Sequence, residues 1–285
     1  MTTTSVTAPG ARLHVTVDGA ASDPPILLLH AGIADSRAWD ALVPLLVSAG
    51  YRAVRYDARG FGRTETDDVE YSNRADAIAV LDGLGIGRAA LVGNSRGGQI
   101  AFDTAIEFPD RVVAVVGVAA GVGGVAGDAT PDEEAAFERM EVLEERLDAA
   151  GPDDHAAIAA ELVEFDVRFW VDGPDQPEDR VAPGIRDAIR MMDSEHVAYG
   201  RVQGRPVPLE PRAADRLGDL RCPVLAVAGE LDATEVPSVA QHLAVNAPDA
   251  RVVILPDVAH MIAMEAPERL AELVIEFLAP LPRWS

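Results

Sequence analysis

Ala89-Ala90-Leu91-Val92-Gly93-Asn94-Ser95-Arg96-Gly97-Gly98 is the stretch on which the reading of this chain turns. Its four leading apolar residues suit a strand buried on both faces of a parallel sheet. A helical pattern takes over at about Ser95 and runs to Glu107, with almost no connection between the two. The join, Gly93-Asn94-Ser95-Arg96-Gly97, fits G-x-S-x-G. Such a turn is so tight that its serine takes strained dihedrals and its neighbours must be small. It would raise the Ser95 hydroxyl at the carboxyl end of the strand. The helix N-terminus behind it offers N–H groups and a positive dipole end to a developing oxyanion.

Outward from this turn, short apolar runs alternate with amphipathic stretches. Leu13–Asp18 alternates with period two, Ile26-Leu27-Leu28-Leu29 is a buried run, and Ala53–Tyr56 and Val112–Ala119 are further strands. Ser36–Ala49 spaces Trp39, Leu42, Val43, Leu46 and Val47 as one helix. Ser72 caps a second helix that runs to Leu84. Strands alternating with helices imply an α/β fold, a doubly wound and mostly parallel sheet with helices on both faces. The first strand would have to come from the short N-terminal segment, so it is expected to be missing or irregular.

After Gly121 the rhythm breaks. Gly123-Gly124 and Gly127 form a joint, Thr130-Pro131-Asp132-Glu133 starts a helix, and no buried strand follows before about Arg212. Helices are expected over Ala135–Ala149, His155–Trp170 and Pro183–Tyr199. Strand-helix alternation resumes at Pro223–Ala228 and ends with the strand Arg251–Leu255 and the helix Pro267–Leu278. The chain therefore divides into a core, residues 1–124 and 216–285, and a helical insertion, residues 125–215.

A serine nucleophile needs a base to take its proton and an acid to orient that base. Of six histidines, His14, His155, His196 and His242 fall in strand or helix patterns, although His196 could face a pocket. His30 closes a strand and suits loop shaping. His260 stands in a loop after the last strand, at the carboxyl edge where open α/β sheets bind ligands. The acid should come from the same edge, and Glu230 and Asp232 both follow the strand Pro223–Ala228. Asp232 is the preferred candidate, in the chain order serine, acid, histidine. The oxyanion donors are assigned to the backbone N–H groups of Arg96 and of Gly32, whose missing side chain allows close approach.

Together these segments resemble the α/β-hydrolase superfamily over nearly the whole chain except the insertion. His30-Ala31-Gly32 looks like its His-Gly oxyanion loop, with Ala31 in place of a frequent glycine. Tyr56-Asp57-Ala58-Arg59-Gly60-Phe61-Gly62 is similar to its D-x-R-G-x-G turn, in which Asp57 and Arg59 would make structural hydrogen bonds. The loop, the elbow and the spacing to Trp39 look most like the enol-lactonase and cofactor-free perhydrolase branch. The resemblance implies a helical cap formed by the insertion. It also implies hydrolysis of a small ester or lactone by Ser95, His260 and Asp232 through an acyl-enzyme, with no cofactor and no metal. The serine at 95 departs from haloalkane dehalogenases and epoxide hydrolases, which carry an aspartate there. A C–C bond hydrolase, a perhydrolase and a non-catalytic binder of a small ligand are the alternatives.

In the insertion, Phe165, Phe169, Trp170, Met191, Met192 and Tyr199 are candidates for an apolar pocket. Trp170, Met192 and Tyr199, together with His30, are the candidate substrate contacts. Arg96, Arg168 and Arg190 are candidates to meet a substrate carboxylate. Formal charge is −23, from 24 basic and 47 acidic side chains, and every basic residue is arginine. So acidic a chain repels phosphate backbones and anionic headgroups, which argues against nucleic acid and membrane partners. One cysteine, Cys222, excludes an intramolecular disulfide and reads as a buried thiol. Met1–Gly10 lacks the pattern of a signal peptide, and no apolar run approaches the roughly 18 residues of a spanning helix. A cytoplasmic location is expected, and no oligomeric state is legible in these residues.

Overall fold

The computed structural model describes residues 1–178 and 180–285. Two N-terminal strands, β1 (Thr2–Ala8) and β2 (Ala11–Asp18), form an antiparallel hairpin. The expectation of a missing or irregular first strand is thereby corrected. Val6 and Ala8 on β1, and Leu13 and Val15 on β2, are all buried at alternate positions. That alternation carries this edge of the sheet into the core.

The remaining strands are β3 (Pro25–Leu29), β4 (Arg52–Tyr56), β5 (Glu65–Thr66), β6 (Glu70–Tyr71), β7 (Ala89–Asn94), β8 (Val112–Val118), β9 (Arg205–Pro206), β10 (Val224–Gly229) and β11 (Ala250–Leu255). The main sheet runs β1-β2-β4-β3-β7-β8-β10-β11, with β5 paired to β2. All pairs from β4 to β11 are parallel. Every residue of β3, β7 and β10 is buried, as expected of strands covered on both faces. β4 lies on one side of β3 and β7 on the other, so the loops leaving β3 and β7 border a crevice at the point where strand order reverses.

Six helices belong to the sheet: α1 (Val43–Ser48), α2 (Asn73–Gly83), α3 (Arg96–Glu107), α7 (Glu235–Asn246), α8 (Ile262–Glu265) and α9 (Pro267–Leu278). Ser72 caps α2 through its hydroxyl. The single helix expected over 36–49 is broken. Asp35 caps a short 3₁₀ turn at Ser36–Trp39, and α1 starts afresh with Pro44 in its first turn. Proline lacks the N–H an α-helix interior needs and fits only a first turn, so a continuous helix through Pro44 is excluded.

Three more helices lie between β8 and β10: α4 (Pro131–Ala149), α5 (Pro152–Asp166) and α6 (Pro183–His196). Thr130 and Glu133 close a capping box on α4. Glu133 also accepts the Thr234 N–H at 2.8 Å, which ties α4 to the loop after β10. α5 continues as a π-helical turn, Val167–Asp172, that ends at Gly173. α6 stops at His196, short of Tyr199. β9, unforeseen in the sequence, pairs with β6 and fastens the insertion to the sheet side. Trp284 closes the core from the C-terminal tail, its indole N–H donating to the Pro25 carbonyl at 2.9 Å. Among the described residues no helix is long and apolar enough to cross a membrane.

Candidate active site

Ser95 joins β7 to α3 with φ 53° and ψ −119°, a conformation held against a cost of roughly 1–3 kcal/mol. Its own N–H donates to the Val118 carbonyl at 2.9 Å. The flanking glycines are sterically required. A Cβ on Gly93 would lie 2.2 Å from the Gly97 carbonyl oxygen, and one on Gly97 would lie 2.1 Å from that of Leu29. Backbone stands in both places and cannot swing aside, so the close passage of β3, β7 and α3 selects glycine.

His260 arrives on the loop between β11 and α8. Its Nδ1 lies 2.9 Å and 3.1 Å from the two carboxylate oxygens of Asp232. Asp232, on the loop after β10, is buried and also accepts the Ala233 N–H at 2.9 Å. Glu230 is exposed. Of the two candidate acids, then, only Asp232 meets the imidazole. A carboxylate at Nδ1 fixes the proton there and leaves Nε2 as the acceptor. Further contacts hold the ring. The His260 N–H donates to the Trp170 carbonyl at 3.3 Å, the Asn94 amide donates to the His260 carbonyl at 3.3 Å, and the Trp170 ring lies 4.6 Å from the imidazole.

Ser95 and His260 line the same two cavities, of about 370 and 350 Å³. No hydrogen bond joins their side chains among the described residues, and contacts of this kind tighten when substrate is bound. The larger of the two also takes in Gly32 and Arg96. The Arg96 N–H is the first of α3, where no intrahelical partner exists. A Cβ at position 32 would touch only the Arg96 Cδ, at 3.9 Å. Packing alone therefore does not require glycine there. A still larger cavity, about 770 Å³, lies between α4 and α5 and includes neither Ser95 nor His260.

Trp170 lines both cavities beside Ser95 and His260. The other three expected substrate contacts lie elsewhere. His30 is buried outside both cavities, where Nδ1 donates to the Ala31 carbonyl at 2.8 Å and Nε2 accepts the Ala58 N–H at 3.0 Å. It pins the loop after β3 to the loop after β4. Burial, reinforced by the Arg96 charge, lowers its pKa. Met192 is buried with Val167, Val171 and Ile189, because α6 turns that face onto the π-helical turn. Tyr199 is 59% exposed beside His155. Phe165 and Phe169 stack on each other along the wall of the 770 Å³ cavity. Arg168 pairs with Asp172, and Arg190 with Glu164. Arg96 alone of the three candidate arginines reaches the cavity beside Ser95 and His260.

Several lining residues had drawn no attention in the sequence: Phe61, Tyr71, Glu144, Asp166 and Asp193. The D-x-R-G-x-G turn that carries Phe61 is held by Asp57, which accepts the Ser36 and Arg63 N–H groups at 3.1 and 2.8 Å. Arg59 forms a buried two-point pair with Asp76 at 2.7 and 2.8 Å. His196 also lines the cavity, stacked on Phe61 at 3.8 Å, with Nδ1 at 3.1 Å from the Gly60 carbonyl. Burial pushes its imidazole down to about 4, so near neutral pH it is an uncharged donor.

The profile of the alpha/beta hydrolase family matches residues 26–273. Rhodomycin D methylesterase DnrP of Streptomyces peucetius is 31% identical over 90% of this chain and 91% of its own length. The solved structure of Est816, described as an N-acyl homoserine lactone degrading enzyme, is 27% identical with TM-score 0.69, covering 96% of this chain and all of that one. The enol-lactonase of Burkholderia xenovorans LB400 superposes with TM-score 0.70 over 97% of this chain and all of its own, at 23% identity, a likeness of fold.

Proposed function

The chain belongs to the alpha/beta hydrolase family, and from that premise we propose that it is a serine hydrolase of small-molecule esters or lactones. Ser95 is the nucleophile, His260 the general base and Asp232 the group that orients it. The observation that carries this reading is the His260–Asp232 pair, closed at 2.9 Å beside a strained serine on the same cavities.

His260 Nε2 takes the Ser95 proton as Oγ bonds to the substrate carbonyl carbon. The N–H groups of Gly32 and Arg96 hold the resulting oxyanion. Collapse of the tetrahedral species breaks the bond to the alkoxy oxygen, which leaves with the proton held by His260. Water then gives a proton to His260 as its oxygen attacks the acyl carbon. The second collapse frees the acid and returns that proton to Ser95 Oγ. In this reading residues 125–215 act as a cap. Its α5 and α6 face the site, and Trp170 presses on the base. The methylesterase and lactone-degrading relatives support the choice of carboxylic esters and lactones.

Labelling with a fluorophosphonate probe tests the mechanism. Wild-type protein should be modified at Ser95 and should hydrolyse members of a panel of esters and lactones. Ser95→Ala should lose labelling and about 10⁴- to 10⁶-fold in turnover while keeping its melting temperature. A folded Ser95→Ala variant with most of its esterase activity intact would end the proposal.

A further inference from the structure

The catalytic cavity carries charges for which the hydrolytic steps have no use. Asp166, at the end of α5, and Asp193, in the last turn of α6, both line it, and both are buried. Glu144 of α4 adds a third acid at an exposed position on the same wall. Asp193 Oδ2 is buried without a hydrogen-bond partner among the described residues. Both aspartates line the same cavity, and a charge on Asp193 disfavours ionisation of Asp166. Burial drives both upward, Asp193 to about 7 and Asp166 well above the usual carboxylate range.

Among the described residues no cation offsets any of these three acids. Arg59 and Arg96 share the cavity, but Arg59 is paired with Asp76, and the Arg96 guanidinium donates to Asn73 Oδ1 at 3.0 Å and sits over the Phe61 ring. Across Ser95 the second cavity is walled by Ala119, Ala120, Val122, Val236 and Val239, with Gln99 and Glu235 as its polar side chains apart from Ser95, Arg96, Trp170 and His260. The first cavity therefore holds three acids, Glu144, Asp166 and Asp193, where the second holds one, Glu235.

We propose that the chamber under α5 and α6 is a subsite for a protonated amine on the substrate, taken by Asp166 and Asp193 and drawn in by Glu144. The inference rests on the serine-hydrolase reading and narrows its substrate class to esters or lactones that carry a basic nitrogen. An alcohol would leave the carboxyl protons in place and gain only a neutral hydrogen bond. An ammonium group replaces one such proton, brings three donors and neutralises a buried charge that no cation offsets. Each ammonium bound then releases one proton to solvent wherever the pair was still protonated. Metal binding is the weaker alternative, since no group of three potential ligands gathers among the described residues.

The probes are n-alkylammonium ions from propyl to hexyl, with the alkanols and alkanoates of equal length. Calorimetry of the wild-type protein at pH 6.5, in two buffers of different ionisation enthalpy, gives affinity and proton release together. One chain length should bind as the ammonium at least tenfold tighter than as the alcohol or the carboxylate. It should release close to one proton and should compete with ester substrate. Asp193→Asn and Asp166→Asn should each remove the preference and the proton release, with thermal melts reporting that the variants are folded. Equal binding of the three probes, preference for the carboxylate, or an ammonium affinity indifferent to both variants would overturn the subsite. Fluorophosphonate labelling fails or succeeds independently of these outcomes, so loss of the hydrolase reading is distinguishable from loss of the amine site.

Discussion

At position 193 an aspartate occupies a place that its helix otherwise gives to apolar side chains, beside Met192 and one turn beyond Ile189, both buried. Desolvation there favours the protonated acid, and the neighbouring Asp166, itself raised by burial, brings no compensating positive charge. Between about pH 4 and pH 7 the folded protein therefore binds more protons at this site than the unfolded chain. Stability contributed here falls as pH rises through that window. Asp193→Asn removes its own titration and leaves that of Asp166. The variant should exceed the wild type by on the order of 2 kcal/mol at pH 8, with the gap closing towards pH 4. His196 slopes the other way, because its lowered pKa makes stability rise between about pH 4 and its ordinary value. It is common to both proteins and cancels in the comparison. Paired thermal melts at pH 5 and pH 8 read the result, and a difference independent of pH would refute the argument.

The elements nearest the site are joined by buried polar contacts as much as by apolar packing. The loop after β4 is fixed to α2 by Arg59 and Asp76, which are 2% and 3% exposed. Removing one partner strands a buried charge, so Asp76→Asn should cost about 3–5 kcal/mol. Arg59→Leu/Asp76→Leu, which removes both charges, should cost less than that single change. A double-mutant cycle in urea measures the difference, and a double variant weaker than Asp76→Asn would contradict it. Much at this scale was legible beforehand: the runs of β3, β7 and β10, the Ser72 cap, the Thr130 helix start and the elbow at Ser95. These are local signals, set by burial on two faces or by a backbone shape few residues allow. What the spacing missed depends on packing between elements. Trp39 and Leu46 keep helical spacing across a break at Pro44. Met192 and Tyr199 lie within eight residues of each other, yet one is buried against the π-helical turn and the other meets solvent. Asp166 and Asp193 did carry a usable sign, each an acid on the apolar face of its helix. Their meeting in one cavity follows from the packing of α5 on α6, which no spacing within either helix encodes.

Across the whole molecule, 47 acidic side chains face 24 arginines, for a net charge of −23. Ion pairs such as Arg12–Glu65 and Arg205–Asp68 are exposed at both ends, and pairs of that kind contribute little to stability. Self-repulsion of the excess acids is spread over the full surface, and folding concentrates it. Salt weakens the pairs and the repulsion together, since the screening length falls to about 10 Å at 0.1 M. With the acids so far in excess, the loss of repulsion should win. Raising sodium chloride from 20 to 500 mM at pH 8 should lift the melting temperature by roughly 2–3 °C, on the order of 1–2 kcal/mol for a domain of this size. Near pH 4.5, the isoelectric point read from composition, the charge excess vanishes and the same salt should stabilise little or even destabilise. Melts at both pH values decide the matter. A midpoint at pH 8 that stays level or drops with salt would mean that the ion pairs, not the excess charge, dominate the electrostatics of this fold.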